Sequence, residues 1–169
     1  MKIGLISDTH GDFHSMQQAL ELLRDTDCIL HAGDLYQDSR WLSTQTHQQI
    51  EAVIGNGDPV TAGPDHQLLK LDHLNILLCH GHIQRVQHSL TSLYYFGLEK
   101  TADVVIFGHT HVPLVLQQGL VIINPGSTSR PRSEHGCTCG ILETGTDSAV
   151  TLLSLTTGQP VVYQPLQFQ

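Results

Sequence analysis

Basic side chains are scarce in this sequence. Its 169 residues carry 8 lysines and arginines against 16 aspartates and glutamates, a formal charge of −8 with histidine neutral. That balance excludes the net basic field on which general nucleic-acid or anionic-membrane binding depends, although a local basic pocket stays open. Long apolar runs are missing as well. None approaches the ~20 residues needed to cross a bilayer. The first apolar stretch, from Lys2 to Ser7, is too short for a secretory h-region. The expectation is a cytoplasmic protein with no membrane partner. Cysteine is limited to Cys28, Cys79, Cys137 and Cys139. The first two sit in apolar runs and read as small core residues. Cys137 and Cys139 fall on one face of a strand, and no second pair completes a structural zinc site, so reduced thiols are expected. Repeats and low-complexity tracts are also missing, and residues 1–169 read as a single domain.

Histidine, by contrast, is abundant. Twelve imidazoles outnumber the lysines and arginines together, and imidazole is the commonest metal ligand. Periodicity and turn signals place them. Ile3 to Ile6 reads as a buried strand, and Asp12 as the cap of a helix carrying Met16, Ala19, Leu20 and Leu23. Cys28-Ile29-Leu30 is a second strand, Ser39 to Gln49 a polar helix and Ala52-Val53-Ile54 a third strand. Strands follow at Leu68 to Leu71 and Leu74 to Cys79. A helix is predicted between Gln84 and Phe96, ended by Gly97. Val104 to Phe107 is a strand, and Val112 to Leu116 with Leu120 to Ile123 form a hairpin. Two more strands lie near Thr138 to Leu142 and Ala149 to Leu155, before a proline-containing tail. Strand–helix alternation in the first half and strands in the second indicate an α/β fold: a two-sheet mixed β-sandwich flanked by helices.

Polar residues follow the apolar strands immediately: Asp8 and His10, Asp34, Asn56 and Asp58, His80, His109 and His111, then Asn124. Ligand sites in open α/β sheets lie at the carboxyl ends of strands, so neighbouring parallel strands would bring these side chains to one rim. Oxygen and nitrogen donors without thiolate suit Mn²⁺, Zn²⁺, Fe²⁺ or Ni²⁺. Seven of these, Asp8, His10, Asp34, Asn56, His80, His109 and His111, are too many donors for one ion with an open position and about right for two ions sharing a carboxylate, a device used for in-line displacement at phosphorus.

Asp8-Thr9-His10, Gly33-Asp34, Gly55-Asn56-x-Asp58, His80-Gly81-His82 and Gly108-His109-Thr110-His111 resemble, in order, the five blocks of the calcineurin-like metallophosphoesterases. The short chain and Asn124-Pro125-Gly126-Ser127 are similar to their small bacterial and archaeal phosphodiesterase branch. The resemblance spans residues 3 to 127 and implies an αββα architecture. It implies that Asp8, His10 and His111 hold one metal, that Asn56, His80 and His109 hold a second, and that Asp34 bridges them around a nucleophilic hydroxide. Two divalent ions are expected, Mn²⁺ first, with Ni²⁺, Zn²⁺ or Fe²⁺ open. In many larger members a histidine stands between the Asn and Asp of the third block, where this chain has Gly57. Asp58 and Asn56 are then expected to orient the site, and His82 is the nearest candidate acid.

Other residues keep two readings. Asn124 is a turn residue or a donor to substrate. Arg130 and Arg132 are a solvated loop or a fork for phosphate. His31 is a hydrogen-bonded core histidine or a support beneath the site. Leu90, Leu93, Tyr94 and Phe96 are core or a contact between subunits of a homo-oligomer on one reading and a platform for substrate on the other. The expected activity is hydrolysis of a small or flexible phosphodiester. The rivals are a phosphomonoesterase, which needs more positive charge for a dianion, and a scaffold of the same fold such as the retromer subunit, which would have lost ligands.

Overall fold

The computed structural model describes residues 1–168. Two sheets pack face to face with helices outside, the expected sandwich. In the first sheet β1 (Lys2–Ile6), β2 (Cys28–His31) and β3 (Gln49–Ala52) run parallel. In the second, β5 (Leu74–Cys79), β6 (Val104–Ile106) and β8 (Leu120–Asn124) do the same. Antiparallel strands complete both: β4 (His66–Leu71) and β7 (Leu114–Gln118) flank the second sheet, while β9 (Thr138–Glu143), β10 (Ala149–Ser154) and β11 (Pro160–Pro165) extend the first beyond β1.

Alternation along each strand builds three cores. Ile3, Leu5 and Leu30 of the first sheet meet Ile76, Leu78, Val104, Ile106, Val121 and Ile123 of the second. On the outer face of the first, Ile6 and Ile29 pack against Met16, Ala19 and Leu23 from α1 (Phe13–Leu22) and its C-cap, and against Leu42 of α2 (Gln37–Gln45). On the outer face of the second, Leu77, Val105 and Phe107 pack against Leu93 of α3 (Thr91–Glu99). The strands are apolar on both faces because both faces are covered. Asp12 caps α1, its side chain accepting from the Ser15 amide.

Several boundaries differ from the sequence reading. Helix α3 starts at Thr91 rather than near Gln84, because residues 84–88 are turns with Arg85 at φ 55°. Gly97 lies inside that helix instead of ending it. A Cβ there would meet Leu120 and Val105 side chains at 2.6 and 2.7 Å, so glycine seats α3 close on the sheet. Helix α2 stops at Gln45, where Thr46 is extended, and β3 starts at Gln49. The proline-containing tail is a strand, β11; an edge position tolerates the missing ladder donor. Leu90, Leu93, Tyr94 and Phe96 pack in the α3 core. Cys139 is buried beside half-buried Cys137, and all four cysteines are free thiols. Burial pushes the Cys139 thiol up to about 12, which keeps it protonated and unreactive. Among the described residues no helix is long and apolar enough to cross a membrane.

Candidate metal centre

The two parallel trios end at the same edge, where backbone bonds tie neighbouring strands within each sheet and the His80 side chain spans the two. The Asp8 amide donates to Gly33 and the Gly108 amide to His80. His80 Nδ1 reaches across to the Ala32 carbonyl at 2.8 Å. Each chain then turns sharply. Asp8, His10, Asp34, His109 and His111 all adopt φ between 47° and 67°, left-handed conformations that cost on the order of 1 kcal/mol or more for side chains with a Cβ. Five of the seven predicted ligands sit in strained backbone that the packed sheets enforce.

Asp8, His10 and His111 offer one atom each within 4.8 Å of one another. Asp8 Oδ1 lies 3.2 Å from His111 Nε2, which lies 3.4 Å from His10 Nε2. His111 Nδ1 donates to the Arg130 carbonyl, so a neutral ring turns its Nε2 lone pair toward the carboxylate. Two acceptors face each other, and the point between them calls for a cation. The Asp8 carboxylate accordingly holds His111 above the usual histidine range. Burial alone would raise Asp8, yet its bond to His111 and the nearby His80 hold it below the usual carboxylate range.

A second group adjoins the first. His80 Nδ1 is engaged by Ala32, so Nε2 presents its lone pair 3.1 Å from Asn56 Oδ1 and 3.9 Å from Asp8 Oδ1. The His80 and His109 ring centroids are 5.0 Å apart, and burial with His80 alongside pushes His109 down to about 4. Asp34 stands between the groups: Oδ1 accepts from the Gly57 amide at 2.9 Å and Oδ2 lies 3.0 Å from His10 Nδ1. His10, Asp34, Asn56, His109 and His111 line one cleft of about 390 Å³, with Arg130 and Arg132 on its wall. Inward-facing lone pairs of oxygen and nitrogen, without thiolate, fit borderline divalent cations.

A supporting layer holds these turns, and apart from His31 it escaped the sequence reading. Asp38, 2% exposed, accepts from Thr9 Oγ1 at 2.6 Å and from the Gly11 amide at 2.8 Å, holding the Asp8–His10 turn. His31 satisfies both of its readings, a buried core histidine whose ring also holds Gly33 and Thr9 beside Asp34 and Asp8. It accepts from the Gly33 amide at Nδ1 and meets Thr9 Oγ1 at Nε2, with burial pushing it down to about 4. Ser127 donates to the Asp8 carbonyl and accepts from the Ser129 and Arg130 amides, tying the arginine segment to the centre. The available signal for Asp38 was a carboxylate opening a helix one turn after Asp34.

Asn124 does not reach the cleft. It is fully buried, donating to Gly108 O and Thr110 Oγ1 and accepting from Gly126 N. Every polar atom is used within the loops, which corrects its reading as a substrate donor to one as a loop clamp. His82 is half-buried beside His80 and His109, with ring centroids 5.4 and 6.1 Å away, and opens on a neighbouring cavity rather than on the arginine wall.

Asp58 ties the ligand loops together, its carboxylate accepting from the Leu35, Tyr36 and Gly55 amides at 2.8–3.1 Å. An amide side chain keeps one acceptor oxygen and turns an NH₂ toward one of these donors. Asp58→Asn is therefore expected to lower stability by about 2 kcal/mol and to reduce kcat with metal content retained. Thermal melts and metal analysis check this; metal loss equal to that of an Asp34 variant would show that Asp58 is itself a ligand.

Residues 1–147 match the model of the calcineurin-like phosphoesterase superfamily domain. The chain belongs to this superfamily. A probable metallophosphoesterase of Methanothermobacter thermautotrophicus is 36% identical over 138 residues, 78% of this chain and 80% of its own. The phosphodiesterase YfcE of Escherichia coli is 28% identical over 185 residues, 90% of this chain and 92% of its own. Among solved structures, a predicted phosphoesterase of Streptococcus pneumoniae superposes with a TM-score of 0.83 at 27% identity, covering 98% of this chain and 96% of that one. A single mutant of Vps29 from Entamoeba histolytica, at 22% identity and a TM-score of 0.79 with full coverage of both chains, shares the fold. The protein is thus a metal-dependent phosphoesterase by family, and side chains of its metallophosphoesterase blocks line one cleft.

Proposed function

We propose that this metallophosphoesterase hydrolyses phosphodiesters with two divalent ions. Asp8, His10 and His111 would hold one, Asn56, His80 and His109 the other, and Asp34 would be shared. The observation that carries this reading is the convergence of these donors, lone pairs inward, beside a wall of two arginines. When bound, such ions supply Lewis acidity toward phosphoryl oxygens and a nucleophile from water at neutral pH. The donor set of carboxylate, carboxamide and imidazole suits Mn²⁺, Ni²⁺, Zn²⁺ or Fe²⁺, with Mn²⁺ the ion expected first from the family resemblance.

The chain's own residues orient and hold. His111 is aimed by the Arg130 carbonyl and His80 by the Ala32 carbonyl, which fixes the tautomer of each. Asp58, Asp38 and Ser127 keep the loops in place. Arg130 and Arg132 offer guanidinium forks to phosphoryl oxygens, and neither is ion-paired to a carboxylate among the described residues. A monoester dianion calls for more positive charge than a diester monoanion, the cleft adds no lysine or further arginine to these two, and the name of YfcE supports the diester preference. The fold shared with Vps29 raises the scaffold alternative, but all seven positions here carry competent donors. The deciding experiment crosses Mn²⁺, Ni²⁺, Zn²⁺ and Mg²⁺ with aryl diesters, aryl monoesters and cyclic nucleotides on metal-stripped protein. Preferred turnover of monoesters, or none with any metal, overturns the proposal. Arg130→Ala and Arg132→Ala are each expected to raise KM about tenfold with metal content unchanged, as loss of a charge-assisted hydrogen bond at an exposed site predicts. Unaltered KM in both and in the double variant returns the pair to a solvated loop.

A further inference from the structure

Asn56 lines a second cavity besides the metal cleft. This one measures about 510 Å³ and runs away from the arginines. Its walls are the loop between β3 and β4 and the segment after His80. The loop is closed by the Ile54 amide on the Pro64 carbonyl at 2.8 Å and by Asp58 bound to three amides, so the wall is built rather than loose. Val60 and Ile83 stand on opposite sides with 84% and 56% of their surface exposed. Both apolar side chains are free to be covered by a bound group, and taking their surface out of water would be favourable. The charges are equally one-sided. No lysine or arginine lines this cavity, and its two carboxylates are Asp58 and Asp65. Arg130 and Arg132 both lie on the cleft side. An anionic group is therefore attracted on one side of Asn56 and repelled on the other.

We propose that this cavity is a subsite for an uncharged apolar or aromatic arm of the substrate, which makes the preferred diesters asymmetric: one aromatic or apolar arm over Val60 and Ile83, and one polar or anionic arm toward the arginines. The assignment rests on the phosphodiesterase reading for its substrate, but the cavity can be tested without turnover.

The test is calorimetric titration of Mn²⁺-loaded protein with (1-naphthylmethyl)phosphonate and with methylphosphonate, whose C–P bonds do not hydrolyse. The naphthyl compound is expected to bind about tenfold more tightly, as partial burial of one aromatic group implies. In the Val60→Ser/Ile83→Ser double variant that advantage is expected to vanish. Methylphosphonate affinity is expected to stay at the wild-type value, which reports an intact centre. Equal affinities in the wild type, or an advantage that survives in the double variant, overturn the subsite. Steady-state KM for aryl diesters whose second arm is methyl or naphthyl separates the two claims. Diester turnover without any naphthyl preference sinks the subsite and leaves the activity standing. A binding preference that follows Val60 and Ile83, with no diester turned over, sinks the activity and leaves the subsite standing.

Discussion

Asp34→Asn is expected to cut kcat/KM for aryl diesters by about a hundredfold or more and to reduce bound metal at both positions. Removing a group that merely supports a ligand already lowers metal affinity or activity about 10–100-fold, and Asp34 is the proposed shared anion. The geometry adds a second loss. Asp34 Oδ2 faces His10 Nδ1 at 3.0 Å and so keeps the proton there, leaving His10 Nε2 free to coordinate. Oδ1 meanwhile accepts from the Gly57 amide. An asparagine that satisfies Gly57 with its oxygen turns its NH₂ toward His10 and drives the imidazole proton to Nε2, where the lone pair is needed. Folding is expected to survive, because Asp34 sits at φ 65° and asparagine tolerates the left-handed region as well as aspartate does. Metal content by elemental analysis, read beside kinetics and the melting temperature of metal-stripped protein, checks all three parts. A variant that keeps its full metal content would remove Asp34 from the shared position.

The second large effect comes from Gly57. No side chain there can protonate a departing oxygen, so poor leaving groups accumulate negative charge unaided. General acid catalysis contributes about 10²–10⁴-fold. Its absence is expected to appear as a steep fall of kcat with leaving-group pKa and as much faster turnover of aryl than alkyl diesters. A Cβ at position 57 would stand 2.8 Å from Asp34 Oδ1. Gly57→His therefore pushes the shared carboxylate aside before its ring reaches substrate, and it is expected to lower activity rather than flatten the slope. A series of diesters spanning several units of leaving-group pKa, measured where chemistry limits the rate, tests the first claim. A flat series in the wild type would mean that another side chain already supplies the proton, with His82, beside His80 and His109, the first to replace.

Much of the site was legible because strands simplify position. An apolar run that ends abruptly in Asp, Asn or His delivers that side chain to the end of a sheet, and blocks such as Gly108-His109-Thr110-His111 are distinctive in order and spacing. The sandwich followed from the same runs, since strands apolar on both faces need cover on both sides. The two readings of Asn124 could not be separated in the sequence, because a strand-end position says nothing about where the amide finds partners. Here Gly108, Thr110 and Gly126 take all of them. Gly97 was misread because a glycine that ends a helix and one that lets a helix approach a sheet look alike in one dimension. The strand of the tail, β11, was lost because proline lowers strand propensity everywhere except at an edge.

The amino-acid sequence alone determined which donors exist, their chemical hardness, their order along the chain, and the scarcity of cations that argues against polyanionic partners. Each of these is a property of residue type and local spacing. Only the tertiary structure decided that the donors come from two sheets rather than one, with Ala32 and Arg130 carbonyls setting the tautomers of His80 and His111. It alone placed the arginines on one side of Asn56 and Val60 with Ile83 on the other. Those relations join residues tens of positions apart. They are set by how two twisted sheets and their loops pack, and local spacing carries no record of that packing.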